Sequence, residues 1–409
     1  MLLVNISLEE AQNLILNHSG VLAAEAVSIL ASLGRVSAAD IFAPSDLPGN
    51  AQTAVDGYAL SNLAEVAQRQ YLLTGNLKLG EIPSKKLQPG QALGVLTGGE
   101  LPDGTIAVIP HEKVKIDNNM LYPLEEVKAG KNIKSAGEDF FQNDCLLSRG
   151  SLISAADISL LSAYGISSLE VYRQPRVAVL CLSENIIDWQ SIPKPGQMRD
   201  SNGPMLSSLI MQNGSIPVAC LVVDRSSAAY HATVETLLQQ ADVLIIIGGT
   251  YAEGDNEAHS LMKELDTEIL YWDVSMMPGS HNGASFRISQ LIFALSGNPA
   301  ACAVGYHLLV APALRKMQGL SPGLQRITAT CTNGFNKKSA SRRFIRGHLS
   351  WSEAGWQINV LPGQKPSMIR SLISCNALID MPAGSPPFEA GKDVSVIVLE
   401  PINLGTTKQ

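Results

Sequence analysis

The chain has 409 residues, of which 45% are hydrophobic and 16% charged, and its formal net charge is −7. This length predicts two to four globular domains, and the acidic balance argues against a nucleic-acid binding protein, because phosphate contacts need clustered lysines and arginines. No apolar stretch approaches the roughly 18 residues of a membrane span, and the N-terminus lacks the basic region of a secretion signal. We therefore expect a cytoplasmic protein that binds neither membranes nor nucleic acid.

The first part of the chain combines helical segments with short strands. Its apolar spacing changes from the helical period to short runs that are separated by glycine, proline and asparagine turns, which is typical of a small all-β module. The predicted elements are a helix over residues 7–33 that Ser7 caps, a loop over 41–59 with the turn Asp56-Gly57, a β module over 70–130, and a helix over 154–164.

The middle of the chain alternates buried β runs with helical segments, which predicts a doubly wound, three-layer α/β domain. The predicted strands are 177–182, 217–223, 243–247, 270–274 and 291–295. The predicted helices are 203–213, 227–240, 257–265 and 298–317. Short strands return after residue 320, at 325–332, 344–348, 357–361 and 394–399, and predict a separate C-terminal β domain.

Three loops are predicted to share one edge of the α/β sheet. Residues 243–247 are an unbroken apolar run, typical of a strand that is buried on both faces, and the run ends at Gly248-Gly249. Ligands of open α/β sheets bind beyond the carboxyl ends of the strands, where two glycines let backbone N–H groups approach an anion. The loops expected at this edge are 183–185, 248–257 and 296–299. A glycine pair is also common in a plain tight turn, and the sequence leaves both interpretations open.

Two further features of these loops suit a phosphate ligand. Ser296-Gly297-Asn298-Pro299 directly precedes a helical segment, and the free backbone N–H groups at its start are predicted to form an anion site. The alternative is an ordinary helix start, in which a proline at the first helical position is common. Glu184, Glu253 and Asp255 offer carboxylate oxygens that suit Mg²⁺, and they are equally compatible with solvated loop charges. The sequence has no GxGxxG, Walker A or HExxH motif. Phosphate or nucleotide chemistry is thus indicated without a named reaction.

A set of short motifs, in their order and spacing, resembles the molybdopterin molybdenumtransferase family, which includes the E domain of gephyrin. The resemblance covers nearly the whole chain. The stretches that carry it are LPGNAQTAVDGYA (47–59), LTGGELPDGTIAVI (96–109), NIKSAGEDF (132–140), RVAVL (176–180), RDSN (199–202), ADVLIIIGG (241–249), PGS (278–280), LSGNPAA (295–301) and FIRG (344–347).

The resemblance implies a multidomain α/β plus β protein, with an N-terminal domain interrupted by a small β module, a three-layer α/β molybdopterin-binding domain and a C-terminal β domain. The expected limits are 1–45 with 140–173, 46–139, 174–320 and 321–409. It implies a homodimer that works with a molybdopterin adenylyltransferase or a molybdoenzyme. It also implies a reaction, in which adenylylated molybdopterin and molybdate are substrates, Mg²⁺ is the cofactor, the metal enters the dithiolene and AMP is released.

Carried over residue by residue, the resemblance assigns three groups of site residues. The catalytic group is Asp56, Thr97, Asp139 and Glu184. The molybdopterin-binding group is Asp200, Ser201, Asn202, Gly248, Gly249, Pro278, Gly279, Ser296, Gly297, Asn298 and Pro299. The metal ligands are Glu184, Glu253 and Asp255.

Three motifs depart from the family pattern in their charges. The family's TGDE is LSEN here, GGVSxGxxD becomes GGTYAEGDN with Asn256 in place of the acid, and KPGKP becomes MPGSH. Met277 and Ser280 therefore stand where the family has lysines, and neutral side chains cannot oppose the repulsion between anions. His281 is a cation only at lower pH.

Two hypotheses follow for the function. The first is a working molybdopterin molybdenumtransferase; the alternative is a catalytically impaired paralogue that binds molybdopterin or a partner protein without turnover. An unrelated nucleotide-dependent transferase on the same scaffold is a third possibility, because fold does not fix function. Release of AMP from adenylylated molybdopterin distinguishes the first hypothesis from the second.

Overall fold

The computed structural model describes residues 3–62, 70–250 and 256–399. The chain forms two compact units. The first comprises Met1–Ala38, Gly150–Ser154 and Ser168–Gln409, and the second comprises Ala39–Arg149 and Ala155–Ser167.

The first unit begins with a strand, a helix and a second strand: β1 (Val4–Ile6), α1 (Leu8–Asn17) and β2 (Ala24–Ser28). Ser7 caps α1 as predicted, because its hydroxyl oxygen accepts from Glu10 N at 3.2 Å while the Glu10 carboxylate accepts from Ser7 N at 2.9 Å.

The prediction of one helix over residues 7–33 is wrong beyond Asn17. The apolar spacing after Gly20 fits a helix locally, but β2 instead pairs antiparallel with a strand far later in the chain, at Ser168–Tyr172. The helix propensity of a short segment determines its structure only weakly, and here pairing with a distant strand outweighs it.

The second unit is built mainly from strands. They are β3 (Ile41–Phe42), β4 (Gln52–Thr53), β5 (Gly57–Ser61), β6 (Tyr71–Asn76), β7 (Gln91–Val95), β8 (Thr105–Pro110), β9 (Val114–Asp117), β10 (Met120–Pro123), β11 (Ile133–Lys134) and β12 (Cys145–Leu147). Six of them form one sheet in the order β8-β5-β7-β6-β10-β9, which confirms the predicted β module. The helix predicted over 154–164 is α2 (Ala155–Ala163).

The loop predicted over residues 41–59 is wrong at β3 and β4, which pair with β12 and β11. It is also wrong from Gly57 onward, because β5 starts there and pairs with both β7 and β8. A Cβ atom at Gly57 would lie 2.0 Å from the carbonyl oxygen of Ile109. Gly57 therefore allows β5 to lie close to β8, because it has no side chain. The Asp56-Gly57 pair is also a common turn sequence, which explains why a loop was predicted here.

The α/β part of the first unit follows β13 (Ser168–Tyr172). Its strands are β14 (Arg176–Leu182), β15 (Ile186–Ile187), β16 (Met198–Arg199), β17 (Ile216–Val223), β18 (Val243–Ile247), β19 (Glu268–Val274), β20 (Met276–Met277), β21 (Gly283–Arg287) and β22 (Gln290–Leu295). Its helices are α3 (Asn202–Gln212), α4 (Tyr230–Gln240), α5 (Glu257–Glu264), α6 (Pro299–Gly305) and α7 (Ala311–Met317), and a π-helical turn at Tyr306–Val310 joins the last two.

A seven-stranded sheet in the order β1-β19-β21-β22-β18-β14-β17 is the centre of this part. β22, β18, β14 and β17 are parallel neighbours, whereas β21 runs antiparallel to β19 and β22. Along β18, Val243, Ile245 and Ile247 pack in a core with α1, α3, α6 and α7, and Leu244 and Ile246 pack in a second core with α4 and α5. Helices thus cover both faces, which confirms the predicted three-layer arrangement.

The C-terminal part of the first unit is a closed β structure. Its strands are β23 (Arg326–Cys331), β24 (Arg342–Ser352), β25 (Gly355–Val360), β26 (Ala377–Met381) and β27 (Asp393–Val398). They follow the order β24-β25-β23-β27-β26, and a further pairing of β26 with β24 closes the ring. β26 was not predicted, and β20 joins this sheet by pairing with β24.

Candidate functional site

The carboxyl ends of β14, β18 and β22 lie side by side, so the three loops that follow them meet as predicted. Gly248 N donates to the carbonyl oxygen of Leu295 at 3.1 Å. A Cβ atom at Gly248 would lie 3.1 Å from the oxygen of Leu182, and one at Gly297 would lie 3.5 Å from the Cα of Gly248. We call the residues 182–185, 248–250 and 296–299 the sheet edge.

The two glycines of the sheet edge both have backbone conformations that side chains rarely adopt. The φ angles are +86° at Gly248 and +63° at Gly249. A Cβ atom at Gly249 would lie 2.9 Å from the Cβ of Glu257. The glycine pair therefore forms a close approach between β18 and α5, which is more than a plain turn requires.

The start of α5 bears on the metal prediction. Asn256, which stands where the family has an acid, is the N-cap of α5, and its side-chain oxygen accepts from His259 N at 3.3 Å. Glu253 and Asp255 lie outside the described residues, so their assignment as metal ligands stays a prediction. Glu184 is exposed directly after β14.

Asp200 and Asn202 organise the start of α3. The Asp200 carboxylate is buried and accepts from Asn202 N and Gly203 N, each at 3.0 Å. Burial raises the pKa of Asp200, and the two backbone N–H groups oppose that rise. Ser201 occupies the N-cap position without a side-chain bond to the helix, so the Asp200 carboxylate caps the start of α3 instead.

Asn202 ties α3 to the sheet edge. It is buried, and its Nδ2 donates to the carbonyl oxygen of Gly297 at 2.7 Å. Its Oδ1 is buried and makes no hydrogen bond within the described part of the chain. Buried acceptors are nearly always paired, so a donor from outside the described residues would satisfy this oxygen.

Asn282 is a site residue that the sequence did not reveal. It is fully buried; its Nδ2 donates to Gly279 O at 2.7 Å and its Oδ1 accepts from Ser296 N at 3.2 Å. Asn282 thus joins the Pro278-Gly279 turn to the sheet edge. The neighbouring His281 places Nδ1 3.1 Å from an oxygen of Asp273. An asparagine three residues after a turn glycine has no distinctive local pattern.

The anion site predicted at the start of α6 needs a correction. Asn298 is the N-cap, without a side-chain bond to the helix, and Pro299 is the first helical residue. The N–H of Ala300 was expected to be free for an anion, but it donates to the carbonyl oxygen of Pro366 at 3.0 Å. A loop of the C-terminal β structure therefore uses one of the donors that the sequence assigned to a ligand.

In the second unit, Asp56 and Thr97 contact each other directly. The Asp56 Oδ1 accepts from Thr97 N at 2.7 Å and from Thr97 Oγ1 at 2.8 Å. These bonds, the backbone one first, lower the pKa of Asp56, which is an exposed carboxylate. The Thr97 turn is held against β4, because Gly98 N donates to Thr53 O at 2.9 Å.

Asp139 lies in the same unit and forms a salt bridge with Lys134. Lys134 belongs to β11, which pairs with β4 and sets Lys134 opposite Gln52. β4 thus connects the Asp56–Thr97 contact with the Lys134–Asp139 pair. Three of the four predicted catalytic residues are therefore positioned around one short strand.

A basic pocket of about 150 Å³ lies beside the Pro278 turn and was not predicted. Its charged side chains all come from the C-terminal β structure. They are Lys337, Arg343, Arg346 and Lys365, which line it together with Met277, Pro278, Phe335, Phe344, Gln364 and Pro366.

Within the described residues, no group of three His, Cys, Asp or Glu side chains is placed to hold a metal ion. Mg²⁺ needs only one or two protein carboxylates when substrate phosphates supply further oxygens. An exposed Glu184 at the sheet edge meets that smaller requirement.

Comparisons with known proteins divide the chain into three matched regions. Residues 6–165 match the MoeA N-terminal region (domain I and II), 178–316 a probable molybdopterin binding domain, and 328–399 the MoeA C-terminal region (domain IV). A molybdopterin molybdenumtransferase of Staphylococcus epidermidis is 30% identical over 376 residues, with 90% of each chain covered. The chain belongs to the molybdopterin molybdenumtransferase family. A family member from Staphylococcus aureus is 28% identical over 402 residues, covering 97% of this chain and 96% of that protein.

Solved structures agree with this assignment. The molybdopterin biosynthesis MoeA protein of Pyrococcus horikoshii has a TM-score of 0.84 and 26% identity, covering 97% of this chain and 100% of that one. The family membership and the multidomain α/β plus β fold are thereby confirmed. None of the described helices has both the length and the apolar character that a membrane crossing requires.

Proposed function

We propose that this protein is an active molybdopterin molybdenumtransferase of molybdenum cofactor biosynthesis, which inserts molybdate into adenylylated molybdopterin with release of AMP. The observation that carries the proposal is the sheet edge, where Asn202 and Asn282 tie the start of α3 and the Pro278 turn to the loop before α6, in a chain whose relatives bear that name. The three motifs that depart from the family pattern do not affect these hydrogen bonds, because neither Asn202 nor Asn282 is among the altered positions.

The sheet edge suits a ligand that combines a heterocycle with phosphate. The unpaired Oδ1 of Asn202 suits an N–H donor, and a pterin ring carries several. Gly248 and Gly249 have no side chains that would block a phosphate group. In this proposal the binding residues are Asp200, Ser201, Asn202, Gly248, Gly249, Pro278, Gly279, Ser296, Gly297, Asn298 and Pro299.

The catalytic roles of Asp56, Thr97, Asp139 and Glu184 belong to the same proposal. Asp56 is held in its ionised form by Thr97, and Asp139 is oriented by Lys134. Glu184 would hold Mg²⁺, with Glu253 and Asp255 as further ligands, and the bound ion would neutralise phosphate charge.

The assembly of the protein is part of the proposal as well. We infer a cytoplasmic homodimer that receives adenylylated molybdopterin from a molybdopterin adenylyltransferase or passes its product to a molybdoenzyme, and that binds no nucleic acid. The domain limits 1–45 with 140–173, 46–139, 174–320 and 321–409 stay predictions.

A single-turnover experiment tests the proposed reaction. Purified full-length protein is incubated with adenylylated molybdopterin, molybdate and Mg²⁺, and AMP is quantified; the matched reaction omits molybdate. We expect AMP release that requires both molybdate and Mg²⁺. Binding of adenylylated molybdopterin by a folded protein without AMP release contradicts the proposal and supports the impaired-paralogue alternative.

A further inference from the structure

His281 and Asp273 form a histidine–carboxylate pair at the start of β21. The Nδ1 of His281 lies 3.1 Å from a carboxylate oxygen of Asp273, and since a carboxylate is an acceptor, Nδ1–H is the donor. Of the seven histidines in the chain, only His281 pairs with a carboxylate within the part that the structure describes. This hydrogen bond selects the ring tautomer in which Nε2 carries the lone pair of a base.

The backbone around Asp273 has an unusual conformation that its neighbours maintain. Asp273 has a φ of +65°, which residues with side chains rarely adopt. Asp273 N donates to Asn282 O at 2.9 Å, and Val274 N donates to Ser280 O at 2.8 Å. Such conformations are concentrated at functional sites, where the surrounding structure holds them in place. Here the conformation sets the Asp273 carboxylate against the imidazole.

The pair lies next to the sheet edge. β21 runs antiparallel to β22, and its first residue, Gly283, stands opposite Ala294 near the carboxyl end of β22. The segment before Gly283 is therefore at the same end of the sheet as the loop before α6. Asn282 connects the two directly, because its Oδ1 accepts from Ser296 N at 3.2 Å. His281 is thus one residue away from a contact with the sheet edge.

The second ring nitrogen of His281 is open to a ligand. The side chain is 38% exposed, and Nε2 makes no hydrogen bond to any residue that the structure describes. A carboxylate on Nδ1 stabilises the imidazolium that forms when Nε2 takes a proton. The pair is therefore arranged for general acid–base catalysis of a reaction at the sheet edge.

The insertion of molybdate into a dithiol requires protons to move. Two Mo–S bonds form while two S–H bonds and one Mo–O bond break, and the released oxygen leaves as water with both protons. Molybdenum keeps its oxidation state, so the step needs neither an oxidant nor a reductant. A group that takes a proton from sulfur and returns it to oxygen assists both halves of this step.

We propose that His281 is a catalytic acid–base residue of molybdate insertion, whose Nε2 takes each proton from a dithiol sulfur and gives it to the molybdate oxygen that leaves as water. Asp273 is a positioning residue that orients the ring and stabilises its protonated form. The inference rests on the proposed function, since it takes molybdate and the dithiol of molybdopterin as substrates. It adds to that function a histidine that stands where the family pattern has the last proline of KPGKP.

Single-turnover kinetics of the full-length protein test the proposal, with molybdenum bound to the isolated pterin product as the readout. We expect His281→Ala to lower the rate constant of insertion by about 10²-fold or more, which is the usual contribution of general acid–base catalysis. Its affinity for adenylylated molybdopterin should stay unchanged. Imidazole added to the buffer should accelerate His281→Ala, because the free base replaces the missing ring. His231→Ala, an exposed substitution in α4, is the matched control and should keep the wild-type rate with and without imidazole.

Asp273→Asn tests the positioning role separately. The ¹⁵N chemical shifts of the His281 ring nitrogens report the tautomer without any turnover. We expect the Nδ1–H tautomer in the wild-type protein and a mixture of tautomers in Asp273→Asn, together with slower insertion. Circular dichroism confirms that each variant is folded.

Three results overturn the inference: a wild-type insertion rate in folded His281→Ala, a slow His281→Ala protein that imidazole does not accelerate, or an unchanged His281 tautomer in Asp273→Asn. The second result would assign the pair a purely structural role in the turn. AMP release and insertion by the wild-type protein are measured alongside. A wild-type protein with neither activity overturns the proposed function and the inference together, whereas a fully active His281→Ala overturns the inference alone.

Discussion

Asn202 Nδ2 donates a 2.7 Å hydrogen bond to the carbonyl oxygen of Gly297, which follows it by 95 positions in the chain. This bond links the start of α3 to the loop before α6, and the Asn202 Oδ1 stays buried at the sheet edge without a partner among the residues that the structure describes. The residue therefore has two separable roles, one in stability and one toward a ligand.

Asn202→Ala tests both roles of this side chain. Loss of the bond leaves the Gly297 carbonyl without its donor, and we expect the free energy of unfolding to fall by about 1–3 kcal/mol. We also expect weaker binding of adenylylated molybdopterin, measured by fluorescence titration. Asn13→Ala, an exposed substitution within α1, is the control that leaves both quantities unchanged. Normal ligand affinity in Asn202→Ala excludes the proposed role of Oδ1.

Gly249→Ala tests the close approach between β18 and α5. The residue has φ +63°, and its added Cβ would lie 2.9 Å from the Cβ of Glu257. We expect urea unfolding to show a loss of about 1–3 kcal/mol. Gly20→Ala is the matched control, since nothing lies within 4 Å of its Cβ and its φ is not positive. A Gly249→Ala protein as stable as the wild type means that the loop adapts without strain.

Asp380→Asn tests a source of pH-dependent stability in the C-terminal β structure. The pKa of Asp380 is lowered despite burial, which opposes that shift, because Arg342 and Arg326 donate to its carboxylate. A lowered folded-state pKa stabilises the protein above the usual aspartate pKa, and this contribution is lost as the pH falls through the folded-state pKa.

We therefore expect Asp380→Asn to destabilise the protein by about 3 kcal/mol at pH 7. The difference from wild type should shrink as the pH falls below about 4. Denaturant unfolding between pH 3 and pH 7 measures this difference, with the exposed Glu353→Gln as the control. A difference that is constant across this range shows that the ion pairs do not carry the effect.

Glu184→Gln tests the proposed Mg²⁺ ligand. The amide removes a carboxylate of the type that Mg²⁺ prefers, so half-maximal AMP release should need at least about tenfold more Mg²⁺. The exposed Glu170→Gln in β13 is the control and should keep the wild-type Mg²⁺ dependence. An unchanged requirement in Glu184→Gln would assign the ion to other residues.

The outline of the α/β fold was predictable because its signals are local. The apolar runs of β14 and β18 and the helical spacing of α4 identify those elements without reference to partners. The elements that were mistaken depend on partners distant in sequence. β2 has a helical pattern but pairs with β13, and β21 and β26 gain their stability from neighbours on both sides.

The residues of the candidate site likewise fall into those that local sequence reveals and those that depend on distant partners. Asp56, Thr97 and the glycines of the sheet edge belong to short sequence motifs, so they were recognisable from neighbouring residues alone. Asn282 was missed because its importance lies in two hydrogen bonds to separate loops.

The sequence by itself determined the family, the order of its modules and the loss of two lysines from the Pro278 turn. Only the tertiary structure decided that Asn202 and Asn282 tie the start of α3 and the Pro278 turn to the loop before α6. The reason is physical: a hydrogen bond needs its donor and acceptor about 3 Å apart in space, whatever their separation along the chain, and no local pattern records such a contact.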